Sequence, residues 1–163
     1  MKPKINIPLT RFDWALEAIA FLIWSGGLLF LIINFETLPD QIPTHYNHTG
    51  TPTTSGSKNS LWLLVAINTS LYVLITVVSR FPHSFNYPIE ITPQNAERQY
   101  TLAVRMMRIL KIVVLMIFVY IHLTSMLASK LGGWFLPVLT IVLILVIGLY
   151  VWKANSTSDK TTL

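Results

Sequence analysis

The sequence predicts an all-α polytopic membrane protein of four transmembrane helices, with an ordered external loop between helices 1 and 2 and a cytoplasmic extension of helix 3. Three observations carry this. Charged residues make up only 12% of the 163 and hydrophobic residues 53%, whereas a soluble domain carries about 25% charged residues. Four apolar runs each approach the roughly 20 residues that cross about 30 Å of hydrocarbon. The lysines and arginines flank these runs asymmetrically, as the positive-inside rule expects of a multi-pass chain.

The first run covers about residues 15–35, behind Lys2, Lys4 and Arg11. It is longer than the roughly 7–15 residues of a signal-peptide core, and Ile32, Ile33, Asn34 and Phe35 offer no small-x-small cleavage site. A retained helix is expected. The second run covers about 61–79, with Asn59 and Ser60 placed to cap it. The third covers about 109–128 and the fourth about 134–152, joined by a tight turn through Lys130, Gly132 and Gly133. Trp14, Trp24, Trp62, Trp134 and Trp152 fall mostly near run ends, where amphipathic rings anchor at the interface. Gly26, Gly27 and Gly148 lie inside runs and allow close helix approach.

Between the second and third runs, Pro82 and Pro88 make residues 80–91 irregular. Thr92 is then a candidate N-cap, with Pro93 suited to a first helical turn. Ala96, Tyr100, Ala103, Met107 and Leu110 recur at helical spacing, so the third helix is expected to start outside the bilayer and enter it as one rod. Arg98, Thr101, Arg105 and Arg108 form a second stripe. It could grip anionic head groups, at about 1 kcal/mol per residue, or dock a cytoplasmic partner. Residues 1–154 make one four-helix domain, and the polar tail 155–163 is expected to be disordered.

Ten of the twelve basic residues lie in the N-terminal segment, the 80–111 region and the C-terminal tail, leaving Lys58 and Lys130 in the other two loops. Both termini are therefore expected in the cytoplasm, and the net charge of +5 is a topology signal rather than a nucleic-acid footprint. With no cysteine, disulfides, thiol nucleophiles and thiolate metal sites are excluded. His122 is the one ionisable residue deep in a run, with Glu17 and Glu36 at run ends. Interhelical hydrogen bonding accounts for it better than a proton relay would.

Function is expected in the first loop, residues 38–58, because loops this long without secondary structure of their own are usually functional or disordered. Pro39, Pro43 and Pro52 stiffen it, and Gly50 and Gly56 are candidate positive-φ positions. Asn47-His48-Thr49-Gly50 reads as a tight turn. Ile42 and Tyr46 offer apolar surface to the bundle or the membrane. Candidate ligand contacts are Asp40, His45, Tyr46, Asn47 and Lys58. His45 and His48, spaced H-x-x-H with Glu36 and Asp40 nearby, carry the donor types of a metal site. A membrane-embedded metalloenzyme is thus the alternative to a non-enzymatic recognition protein without cofactor, and an accessory subunit of a larger membrane complex is a third reading. Acid–base chemistry by His45 with Asp40 has no nucleophile motif beside it.

Leu38-Pro39-x-x-Ile42-Pro43-x-His45-Tyr46-Asn47, continuing through Gly50, Pro52 and Gly56-Ser57-Lys58, resembles the signature of a bacterial membrane domain of unknown function that forms the N-terminal half of SdpI-type immunity proteins. Asn95-Ala96-Glu97-Arg98-Gln99-Tyr100, leading into Arg105, Arg108 and Lys111, resembles that family's second motif. Thr53, Thr54 and Ser55 depart from it where members often carry an acidic residue, a glycine and an aromatic. His48 stands where the family requires no histidine. The longer immunity proteins add further spans after this domain. The resemblance implies a bacterial cytoplasmic-membrane protein that meets a secreted peptide toxin or envelope component outside and a cytoplasmic regulator inside.

Overall fold

A computed structural model describes residues 2–156. Four helices, α1 (Arg11–Asn34), α2 (Ser60–Val78), α3 (Ala96–Met126) and α4 (Phe135–Asn155), form the body. Two strands, β1 (Gln41–Tyr46) and β2 (Pro52–Ser57), lie between α1 and α2. Short 3₁₀ turns occupy Phe35–Thr37 and Pro82–Ser84. Of the expected disordered tail, Asn155 closes α4, and residues 157–163 lie outside the described residues.

Among the described residues three helices are long and apolar enough to cross a membrane: α1 with its 3₁₀ extension, α2 and α4, with mean hydropathies of 2.2, 2.2 and 2.6. The chain reads as a membrane protein on that ground. Its outward faces carry large apolar side chains such as Leu22, Ile33, Leu63 and Ile144, the inverse of a soluble bundle. α3 is the central rod: the other three helices pack on it, and it buries Tyr100, Ala103, Val113 and Leu115.

Local chemistry sets the helix ends. Thr10 caps α1 in a capping box with Asp13. α3 starts later than Thr92 suggested, with Asn95 at the N-cap. Thr92 and Asn95 exchange backbone-to-side-chain bonds of 2.9 and 3.3 Å, which close a turn ahead of the helix. α3 ends at Met126, close to the end expected near residue 128, and Ala128 takes a positive φ of 47° just beyond. Asn59 stands at the N-cap of α2 without a side-chain capping bond.

The all-α expectation needs a correction, because the first loop is an antiparallel hairpin. Gln41 pairs with Ser57, Ile42 with Gly56, Pro43 with Ser55, His45 with Thr54 and Tyr46 with Pro52. The register breaks between Pro43 and His45 and again between His45 and Tyr46. Pro43 cannot donate to a ladder, and such residues sit at sheet edges and bulges. Gly56 lies within β2 and is not among the positive-φ glycines, which are Gly50 and Gly132.

Of the intramembrane glycines, Gly27 makes a close contact: a Cβ there would lie 2.7 Å from Val119 Cγ2, whereas Gly26 and Gly148 face open space. Gly27→Leu should therefore destabilise the α1–α3 contact by about 1–3 kcal/mol. Gly26→Leu and Gly148→Leu should stay within about 0.5 kcal/mol. Unfolding of the three variants by SDS in mixed micelles checks this; equal midpoints would contradict the packing.

Candidate functional site

The hairpin is built as a cap fastened to one end of the bundle. Ile42 is 1% exposed and packs with Leu31 of α1, Leu61 of α2 and Met126 of α3, so one strand residue joins three helices. The Tyr46 hydroxyl lies 3.3 Å from Ser125 Oγ. At the tip, Leu131 N–H donates to Gly50 C=O at 2.9 Å. Gly50 and Gly132, at φ of 74° and 80°, meet so closely that a Cβ on Gly50 would lie 2.6 Å from Gly132 N.

The expected turn at residues 47–50 is present, and Asn47 organises it. Its Oδ1 accepts from the N–H groups of Thr49 at 3.0 Å and Thr51 at 2.9 Å, and from Thr49 Oγ1 at 2.7 Å. Gly50 N–H donates to Asn47 C=O at 2.9 Å. This is an Asx-type turn, in which the side chain stands in for backbone partners.

The five candidate contacts therefore separate. Asn47 is committed to the turn, Tyr46 is half-buried against α3, and Lys58 is a staple. Lys58 Nζ donates to Leu38 C=O at 3.1 Å, lies 3.4 Å from Asp40 Oδ1 and stands over the Phe35 ring at 5.4 Å. Asp40 and His45 face solvent, the Asp40 side chain at 94% exposure. Asp40 stands just ahead of β1 and His45 within it, and the two make no hydrogen bond or ion pair with each other. His45 Nδ1 is 3.2 Å from Thr44 Oγ1. Among the described residues no three of His, Cys, Asp and Glu gather where they could hold a metal ion, so His45 and His48 have no third ligand.

The opposite end holds what sequence reading missed. Asp13 and Glu17, one turn apart on α1, meet three cations of α3. Arg105 Nε donates to Asp13 Oδ1 at 3.0 Å, and Arg108 Nη1 to the same oxygen at 2.8 Å. Arg108 Nε reaches Glu17 Oε1 at 3.0 Å, and Lys111 Nζ reaches Glu17 Oε2 at 2.5 Å and Thr76 Oγ1 at 3.0 Å. The Lys111 side chain is 1% exposed and the Asp13 side chain 3%. Arg98, Arg105 and Arg108 are thus not one free stripe. Arg98 is exposed, whereas Arg105 and Arg108 are drawn into α1 because two acids at i, i+4 match cations at i, i+3, i+6. That spacing was the available signal, and Asp13 its unread half. In the 80–91 segment, burial pushes the Tyr87 hydroxyl well above the usual phenol range, and it donates to Pro82 C=O at 2.8 Å.

His122 joins α3 to α2. Its Nδ1 is 2.8 Å from Phe118 C=O and its Nε2 3.2 Å from Leu61 C=O, the interhelical role expected of it.

A domain of unknown function, DUF1648, matches residues 22–69. The match runs from the middle of α1 through the whole hairpin to the middle of α2, the segment that contains the cap and, in Leu31 and Leu61, two of the three helix residues that seat Ile42. No curated protein and no solved structure matches the chain. Asp13, Glu17 and the α3 cations of the charge cluster lie outside the DUF1648 segment.

Proposed function

We propose that this is a non-enzymatic recognition protein of a bacterial cytoplasmic membrane, related to the SdpI-type immunity proteins through its DUF1648 segment. The hairpin faces outward to take a secreted peptide or envelope component, and immunity or signalling is the output. The second half of α3 serves as the fourth span, its first half stands in the cytoplasm with both termini, and Arg98 faces a cytoplasmic regulator. The observation that carries this reading is the cap's construction: Ile42, Tyr46 and Gly50 fix it to three helices and the α3–α4 turn, while Asp40, His45, His48 and Thr53–Ser55 stay exposed. A rigid support beneath an open polar face is what recognition by a loop needs.

The test is photo-crosslinking in native cells from a reactive residue at Thr54, opposite His45 in the ladder. A discrete secreted peptide should be captured. His45→Ala should lower capture at least about tenfold, the loss of one good polar contact, without changing yield or melting. Capture of lipid alone, or capture indifferent to His45, would overturn the reading.

A further inference from the structure

Beside the charge cluster lies a cavity of about 710 Å³, within the roughly 300–1,000 Å³ of small-molecule sites. Its walls come from the N-terminal segment at Ile5–Leu9, from α1, from the end of α2 and from α3. Polarity is graded along it. Arg80, Arg108, Ser79 and Thr101 stand at the mouth of the bundle; Ala18, Phe21 and Tyr72 line it farther in. From Asp13 to Phe21 is eight residues of helix, about 12 Å. Trp14 and Phe21, on its rim, are 62% and 52% exposed, so the apolar part opens sideways, where the hydrocarbon of a bilayer would lie.

Charge specifies the occupant. Three cations, Arg105, Arg108 and Lys111, meet only two carboxylates, Asp13 and Glu17, and a fourth, Arg80, lines the same cavity. The Arg80 backbone N–H donates to Val77 C=O at 3.0 Å, and its guanidinium has no hydrogen bond or ion pair among the described residues. Arg108 uses Nη1 and Nε on the carboxylates, which leaves further guanidinium N–H donors. The Arg80 guanidinium faces a partly apolar pocket without a partner, beside a cluster whose three cations outnumber its two carboxylates, and a phosphate accepts such donors well.

We propose that this cavity binds an anionic phospholipid of the surrounding bilayer, its phosphate held by Arg80 and Arg108 and an acyl chain laid between α1 and α2 against Ala18, Phe21 and Tyr72. A soluble anion leaves the apolar walls uncovered, and a zwitterionic lipid leaves the surplus charge in place. An anionic lipid satisfies both.

The test uses the purified full-length chain in detergent, with native mass spectrometry against phosphatidylglycerol and phosphatidylcholine of identical acyl chains. One phosphatidylglycerol adduct should survive activation that strips phosphatidylcholine. Arg80→Gln should lower its occupancy at least about tenfold, as for loss of a charged hydrogen bond. Its melting should stay unchanged, since the Arg80 side chain holds no partner among the described residues. Ala18→Trp, which fills the pocket, should remove the adduct with Arg80 intact. Lys58→Gln, at the far end, should leave it alone. Equal retention of the two lipids, an adduct indifferent to both Arg80 and Ala18, or full displacement by millimolar inorganic phosphate would each overturn the assignment.

Discussion

Glu17→Leu should destabilise the bundle by about 3–5 kcal/mol, the usual consequence of removing one partner from a buried ion pair. The reason lies in what is left behind. Lys111, 1% exposed at its side chain, would keep only Thr76 Oγ1 at 3.0 Å and the Tyr72 ring at 5.0 Å, and neither offsets a desolvated ammonium. Lys111→Met should cost less, because Glu17 keeps Arg108 Nε at 3.0 Å. The double variant Glu17→Leu/Lys111→Met should be more stable than Glu17→Leu alone, since an apolar pair can replace a buried ionic one at little cost. SDS titration followed by tryptophan fluorescence gives the three midpoints, and the coupling energy follows from the cycle. Losses that simply add would show that the two side chains do not depend on each other.

This cluster marks where sequence reasoning ran out. The apolar runs of α1, α2 and α4 were legible because bilayer-facing helices need little besides length and hydropathy. The turn at Asn47–Gly50 was legible because its chemistry is local. The hairpin's strands were not. β1 contains Pro43 and a register break, and β2, Pro52-Thr53-Thr54-Ser55-Gly56-Ser57, has no apolar alternation that would announce a half-buried strand. Their pairing is imposed by Ile42 finding Leu31, Leu61 and Met126, a tertiary cause without a local signature. The Asp13–Arg105 pairing joins residues 92 apart in sequence. It could be anticipated only by matching the acid spacing on α1 to the cation spacing on α3. Of the expected recognition residues, Asn47 and Lys58 make contacts within the cap that the sequence could not show, because turn-forming and ligand-binding polar residues look alike until their partners are known.

The two fastenings explain each other's position. Charge holds α1 to α3 at one end, Ile42 and the Gly50–Gly132 contact close the other, and Gly27 against Val119 keeps the helices near between them. A hairpin seated on α1, α2 and α3 together can register a change in their spacing.

Gly50→Val should release the tip of the cap. Gly50 sits at φ +74°, a region that a β-branched residue occupies only under strain. Its Cβ would also lie 2.6 Å from Gly132 N and 2.8 Å from Gly132 O, backbone atoms that cannot rotate away. The combined strain and overlap should cost roughly 2–4 kcal/mol, most cheaply relieved by breaking the Leu131 N–H bond to Gly50 C=O. Hydrogen exchange locates the break. The Leu131 amide should lose protection by about a hundredfold or more, as a local opening of that size requires. The buried helical amide of Leu115, far from the cap, should keep its protection. The amides of Thr49 and Thr51 should change less, because Asn47 Oδ1 holds them within the turn itself. Unchanged protection at Leu131 would mean that the tip is not held by this contact and that Ile42 and Tyr46 seat the cap without it. In the expected case, capture of an external ligand by the Gly50→Val chain should fall although Asp40 and His45 are intact, because their common support has moved.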